Sequence, residues 1–395
     1  MDESDAVEIA YDTVLPALQP ATMAQIRGLL ARQGLDPEAE VDTFCVGRQG
    51  QRVLACAGLA HDVVKCTAIA PAAQGLGVLE RLMTELTYAA LDRGVSHLFL
   101  YTSLANEEKF LACGFHRIVA VPDEAQRPDG GAGAAGVVFM ENSRAGITKW
   151  TEELSYYRRQ RPKVGAVVVN CNPFTLGHRY LLQQAAQDCD YLHVFVVSED
   201  ASFFSYADRL ALVRAGVAEL PERDRIHVHP GSRYLVSKAT FPTYFLKDAA
   251  VVQQASTAVD LRIFREHIAP SLGITHRYVG TEPFCAVTRA YNADMHRWLE
   301  QAHGDHDPVR VVEVERVAHE GRAISATQVR RRIIEGRLAG LDRLVPAATY
   351  AFIIATYGTP EDKARATAAT TAASARAYAS AGVGFAASAY ARPGA

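Results

Sequence analysis

The chain has 395 residues, 49% of them hydrophobic and 22% charged, which is more than one compact core holds, so two or three domains are expected. Lys and Arg number 41 against 44 Asp and Glu, a formal charge of −3 that gives no electrostatic footprint for general nucleic-acid binding. Seven cysteines (Cys45, Cys56, Cys66, Cys113, Cys171, Cys189, Cys285) are scattered, odd in number and never spaced C-x-x-C, which supports neither a disulfide framework nor a zinc site.

The opening Met1-Asp2-Glu3-Ser4-Asp5 is acidic, unlike a signal or transit peptide, and no stretch is long enough to cross a bilayer. A reducing cytoplasm is the expected location. Val63–Ile69 reads as a strand leading into the turn Gln74-Gly75-Leu76-Gly77. Leu79, Leu82, Met83, Leu86, Ala90 and Leu91 then recur at helical spacing. A strand at His97–Tyr101 and a helix at Asn106–Cys113, closed by Gly114-Phe115, extend this to an α/β layer. Asp123–Gly136, rich in Gly, Ala, Asp and Pro, is expected as an exposed loop. The polar stretch Lys149–Lys163 reads as a connecting helix or linker.

The second segment alternates more clearly. Val164–Val169 is a continuous apolar, β-branched run, as in a strand covered on both faces. A turn with Asn and Pro leads into a helix at Leu176–Gln187, and Leu192–Val197 is the next strand. Ser205-Tyr206-Ala207-Asp208 has the capping-box pattern of a helix continuing through Glu219. Arg225–His229 and His276–Val279 supply further strands, and the β–α order implies a doubly wound parallel sheet. Beyond Tyr357-Gly358-Thr359-Pro360 the chain turns Ala-rich without a stripe of large apolar residues, so a disordered or loosely helical tail is expected. The expected domains are 1–147, a linker at 148–162, 163–358, and the tail 359–395.

The turn Asn172-Pro173-Phe174-Thr175-Leu176-Gly177-His178 is the most informative stretch. It follows a buried strand and opens a helix, where free N–H groups and the helix dipole favour phosphate. Gly177 lets backbone approach closely, His178 projects a donor and Thr175 adds a hydroxyl. No G-x-x-x-x-G-K-[ST] is present, so this is not a P-loop. Gly-His alone also fits an ordinary turn with a satisfied histidine. The full string resembles the T/H-x-G-H signature of the nucleotidylyltransferase superfamily, which implies contact between His178 and the phosphates of ATP. Thr175 stands where many relatives carry a first histidine, so it offers one hydrogen bond and no charge.

Downstream, Ile324-Ser325-Ala326-Thr327-Gln328-Val329-Arg330 is similar to the I-S-S/A-T-x-x-R motif of the same superfamily. Ser325 with Gln328 also reads as a plain capping box over an apolar stripe of Val329, Ile333 and Ile334. Two hydroxyls and Arg330 at a helix start equally make an anion site.

The stretches Phe195–Ser202, Ala239–Asp248 and Val279-Gly280-Thr281-Glu282-Pro283-Phe284-Cys285 resemble the citrate lyase ligase family, and the likeness runs from about Lys163 to Val345. That resemblance implies activation of acetate by ATP, with Mg²⁺, and acetylation of the prosthetic-group thiol on the acyl-carrier subunit of citrate lyase through acetyl-AMP. It implies His178, Thr175 and Arg330 as catalytic residues. Asn172, Phe174, Gly177, Gly280, Glu282, Ser325 and Thr327 are the implied nucleotide contacts, with no protein-bound metal, nucleic acid or membrane partner. Adenylation of a phosphate-bearing cofactor precursor is the competing reaction, and plain nucleotide binding without catalysis is a third possibility.

Gln74–Leu79 with Phe110–Phe115 resembles the acetyl-CoA loop of Gcn5-related N-acetyltransferases, which implies an acetyltransferase-like α/β domain ahead of the Rossmann-like nucleotidyltransferase domain. An arm-holding role for that domain, toward the CoA-like group of the acyl carrier, is the expectation. Lys247 is a candidate phosphate or acetate contact or a solvated lysine at a helix end, and Arg209 a candidate nucleotide contact or a partner of Asp208 or another acid. His227 and His229 alternate along a strand, with one of the two expected on the core face. His303-Gly304-Asp305-His306-Asp307 has ligand-type residues, yet a solvated loop is expected.

Overall fold

The computed structural model describes residues 8–122, 136–198, 202–237, 257–282, 286–301, 306–319 and 322–362. Most of the expected loop at Asp123–Gly136, the stretch Ala239–Asp248 with Lys247, Pro283–Cys285, His303–Asp305 and nearly all of the Ala-rich tail lie outside the described residues. The chain divides into two compact units. One comprises residues 1–168, 185–199 and 225–315, the other 169–184, 200–224 and 316–395.

The first unit holds two sheets. The N-terminal sheet contains β1 (Ala10–Val14), β2 (Thr43–Gln49), β3 (Arg52–Ala60), β4 (Val63–Ile69), β5 (Phe99–Ser103), β6 (His116–Pro122) and β7 (Gly136–Glu141), in the order β1-β2-β3-β4-β5-β7-β6. Its neighbours are antiparallel except β4 and β5, which are parallel and paired only at Val63–Phe99 and Val64–Leu100. Helices α1 (Pro20–Arg32) and α2 (Val78–Leu91) bury Ile26, Leu29, Leu30, Leu82 and Leu86 in one core with β2 to β4. The strand expected at His97–Tyr101 begins two residues later. The helix α3 (Glu107–Ala112) is one residue shorter at each end than expected.

The second sheet contains β8 (Val164–Val169), β9 (Tyr191–Val196), β10 (Ile226–His229), β11 (His276–Gly280) and β12 (Arg310–Val314), ordered β10-β9-β8-β11-β12. The pairs β9–β10, β8–β11 and β11–β12 are parallel. Strand order reverses between β8 and β11, the switch point at whose carboxyl ends open α/β sheets bind ligands. Gly165 is needed inside β8, since a Cβ there would stand 2.7 Å from the Tyr278 ring.

A single hydrophobic cluster joins the two sheets. Phe99, Tyr101 and Phe139 of the first and Val164, Ala166 and Phe195 of the second share it with Phe264 and Tyr234. Helix α4 (Gly146–Ser155) starts just before the expected linker and runs into it, and its Ile147 and Leu154 are buried in that same cluster. Polar contacts reinforce it. The buried Glu141 carboxylate accepts from Tyr234 Oη and from the Ile147 N–H at 2.9 Å, and lies 2.6 Å from His97 Nε2. Arg233 pairs with Asp62.

The second unit carries most of α5 (Leu176–Asp188), all of α6 (Tyr206–Ala218), and the helices Ala326–Ile334 and Ala347–Tyr357. Ser205 caps α6 as expected, its hydroxyl accepting from the Asp208 N–H at 3.2 Å. Among the described residues no helix is long and apolar enough to cross a membrane.

Candidate phosphate site

The turn between β8 and α5 is held from several sides within the second unit. Phe174 is fully buried, and a Cβ on Gly216 of α6 would come within 2.1 Å of its ring, so the missing side chain at 216 is what admits it. Phe174 therefore belongs to the core beneath the turn, a correction to its expected role as a nucleotide contact. The Leu176 N–H donates to the Leu344 carbonyl at 2.9 Å. At Gly177 a Cβ would stand 3.3 Å from the Ile324 carbonyl, so the backbone of the second motif packs closely on this position.

His178 is oriented by the residue three positions before it. The Thr175 N–H donates to His178 Nδ1 at 3.1 Å, and the Thr175 hydroxyl lies 2.9 Å from the same nitrogen. A nitrogen that accepts an N–H carries no proton, so the neutral ring holds its proton on Nε2. Burial, with the Arg316 charge adding to it, lowers the His178 pKa to about 4. The ring is therefore neutral near pH 7 and offers Nε2–H as a donor. Thr175 itself is 1% exposed, so its hydroxyl acts on His178 and not on a ligand. That corrects the expectation of a direct contact.

The Ala326–Ile334 helix starts as its sequence suggests, with a difference in the cap. The Ser325 hydroxyl accepts from the Thr327 N–H at 3.2 Å, two residues on, in place of a reciprocal bond with Gln328. Val329 and Ile333 are buried, but Ile334 is 72% exposed and leaves the expected stripe. Arg330 donates from Nη1 to the Asn172 carbonyl at 2.6 Å and from Nη2 to Thr327 Oγ1 at 3.1 Å. The two motifs, 158 residues apart at this bond, thus meet in one place. Asn172 also accepts the Phe204 N–H on Oδ1 at 3.1 Å, which fixes its side chain.

Arg209 is fully buried, with its guanidinium against oxygens of the strand end and of Phe204. It donates to the Asn170 carbonyl at 2.9 Å, to Asn170 Oδ1 at 2.8 Å and to the Phe204 carbonyl at 3.3 Å. Sequence reasoning singled out this arginine without its role and passed over Asn170. The one available signal was an exposed-type polar residue directly after an apolar strand.

The remaining candidates lie in the first unit. The Gly280 carbonyl accepts from Asn292 Nδ2 at 3.2 Å, and Glu282 is partly exposed just beyond β11. His227 and His229 are two apart in β10 and so share one face, which corrects the expected alternation. Their rings lie 4.4 Å apart, with His193 Nδ1 2.9 Å from His229 Nε2. The carbonyls of His306 and Asp307 accept from the buried Arg265, which gives that stretch a structural task.

The family model of the citrate lyase ligase C-terminal domain matches residues 164–353. The [citrate [pro-3S]-lyase] ligase of Escherichia coli (strain K12) is 42% identical over 331 residues, covering 84% of this chain and 90% of that one. The chain belongs to the citrate lyase ligase family. The ligase of the same name from Klebsiella pneumoniae is 43% identical over 325 residues, 82% of this chain and 90% of that one. Among solved structures, the ribosomal-protein-S18-alanine N-acetyltransferase from Escherichia coli is 15% identical, with a TM-score of 0.27, over 34% of this chain and 92% of that one. As a member of the citrate lyase ligase family, the chain is a ligase.

Proposed function

We propose that this ligase uses ATP and acetate to acetylate the prosthetic-group thiol of the acyl-carrier subunit of citrate lyase, and so activates that enzyme. The observation that carries the mechanism is the neutral His178, locked as an Nε2–H donor in a turn that Arg330 ties to the Ser325–Thr327 helix start. An acetate oxygen attacks the α-phosphorus, the new O–P bond forms, and the bond to the bridging oxygen breaks to release pyrophosphate. The thiolate sulfur of the carrier then attacks the acetyl carbonyl carbon of acetyl-AMP, a C–S bond forms, and AMP leaves. His178, Ser325, Thr327 and the N–H groups at Gly177 fit the charge that develops on the phosphates. They are donors already in position, so little reorganisation accompanies the reaction. Mg²⁺ is expected to travel with the triphosphate oxygens. We place the reaction in the cytoplasm, in keeping with seven scattered cysteines that never fall into a C-x-x-C pair.

Acetate-dependent exchange of labelled pyrophosphate into ATP tests this reading. Exchange with acetate alone supports it, whereas exchange that requires a phosphate-bearing acceptor transfers the chemistry to the competing adenylation of a cofactor precursor.

The N-terminal sheet has a site of its own for the carrier's prosthetic group in this proposal. Beyond their two shared pairs, β4 and β5 border a cavity of about 800 Å³ lined by Lys65, Thr67, Gly75, Gly77, Tyr101 and Ser103. Two strand edges facing one cavity offer backbone hydrogen bonds to an extended, amide-bearing chain. The pantetheine portion of the carrier's prosthetic group has that chemistry. Titration of the full chain with CoA tests it: saturable binding lost in a Gly77→Val variant is expected, and absence of binding at millimolar CoA removes this part.

A further inference from the structure

Asn170 is the first residue after β8, and it is exposed although the guanidinium that grips it is fully buried. Arg209 Nη1 donates both to the Asn170 carbonyl and to its side-chain oxygen, while Nε donates to the Phe204 carbonyl. A guanidinium has only donors, so the side-chain atom facing it must be the amide oxygen. The Nδ2 amino group is thereby turned away from Arg209, outward at the carboxyl end of the strand. Both bonds to Asn170 come from one nitrogen, so backbone and side chain of the residue are fixed together. The positive charge against the amide oxygen also polarises the amide and strengthens Nδ2–H as a donor.

The Asn170 side chain is therefore held in a single orientation. The same short turn carries His178, and its Asn172 carbonyl is held by a second guanidinium, that of Arg330. Two arginines thus fix the carbonyls of alternate residues, 170 and 172, in the segment that approaches phosphate. We infer that Asn170 binds the nucleotide by donating Nδ2–H to a phosphate oxygen, and that Arg209 is the positioning residue that aims it. This rests on the nucleotide-binding reading of the turn, and it adds one contact and one support to that site.

The substitution Asn170→Asp separates the possibilities. It keeps an oxygen toward Arg209, now as an ion pair, and replaces the outward donor with an anionic acceptor. Calorimetric ATP binding and acetate-dependent pyrophosphate exchange are measured on the full chain, beside its thermal unfolding. The expected result is an unchanged or higher melting temperature with ATP affinity weaker by about tenfold or more, the scale of a charge-assisted hydrogen bond. Asn170→Ala, which removes the donor without adding charge, loses less and provides the measurement if the aspartate variant does not fold.

Arg209→Lys tests the positioning role, measured well below its melting temperature. A purely structural arginine leaves ATP affinity of the folded protein unchanged. A positioning arginine raises KM for ATP severalfold while kcat for exchange changes less. Wild-type ATP affinity in both Asn170 variants overturns the inference while leaving the acetate reaction standing. Weakened binding in a protein that shows no acetate-dependent exchange keeps the inference and overturns that reaction.

Discussion

The backbone N–H and the hydroxyl of Thr175 both converge on Nδ1 of His178, at 3.1 and 2.9 Å. One residue thus decides which nitrogen of the histidine carries the proton, and the other presents that proton outward. The pair works through tautomer control and needs no second positive charge.

His178→Ala removes the Nε2–H donor and is expected to slow pyrophosphate exchange about 10²–10³-fold, as for loss of a single oxyanion donor. Thr175→Val keeps the N–H and loses the hydroxyl, so it retains the tautomer and is expected to cost a smaller factor, on the order of tenfold or less. Steady-state exchange rates of the two variants check the order. A larger loss in Thr175→Val than in His178→Ala contradicts the assignment.

The pH profile of exchange follows from the lowered pKa of His178, about 4 against 6.5 for a free imidazole. Between pH 8 and 5.5 no histidine inflection from this residue is expected, because the ring stays neutral throughout. Activity should fall as pH approaches 4, when a proton on Nδ1 breaks its bond from the Thr175 N–H. A His178-dependent inflection near 6.5 would show that the ring is not buried as described.

Stability has its own pH dependence, from His193 and His229. Burial, then neighbouring histidine charge, lowers their pKa values to about 3 and about 2. Below pH 6.5 the unfolded chain takes up protons that the folded chain does not, so stability present above 6.5 is lost as pH falls. The loss continues until the folded pKa values are reached. Melting temperature measured from pH 7.5 to 5 should decrease, and less steeply in His229→Phe than in the wild type.

Gly216→Ala places a methyl group against the Phe174 ring, where a Cβ would stand 2.1 Å away. Both residues are in well-packed surroundings, so overpacking is expected to cost about 1–3 kcal/mol. Thermal or urea unfolding reads this directly. Because Phe174 underlies the turn, ATP affinity should fall as well.

Arg330→Lys keeps the charge but cannot span both the Asn172 carbonyl and Thr327 Oγ1. A rise in KM for ATP of about threefold to thirtyfold is expected, with little change in melting temperature, since the bonds lie at a partly exposed position.

The elements of the second sheet were legible in the sequence because each strand is a short apolar run bounded by turn residues. Strands such as Val164–Val169 match to the residue. The strand-to-helix turn and the second helix start were legible too, since glycine, hydroxyls and a capping serine at a helix start are local chemistry. Other features were not local. Thr175 looked like a ligand contact, and its burial became visible only with its neighbours in place. Ile334 fits a helical stripe on paper, but the helix rests on its partners along the narrower line of Val329 and Ile333. His227 and His229 were misassigned by period, as residues two apart on a strand share a face.

The sequence by itself determined the α/β alternation, the strand-to-helix turn at Asn172–His178 and the second motif at Ser325–Arg330. Backbone propensity, apolar period and capping act over a few residues. Tertiary structure alone decided that Arg330 reaches the Asn172 carbonyl 158 residues away, that Arg209 is buried against Asn170, and that Thr175 serves His178. A buried polar group must find its partners among whatever the fold brings within about 3 Å, and that distance is set by packing of segments far apart in the chain.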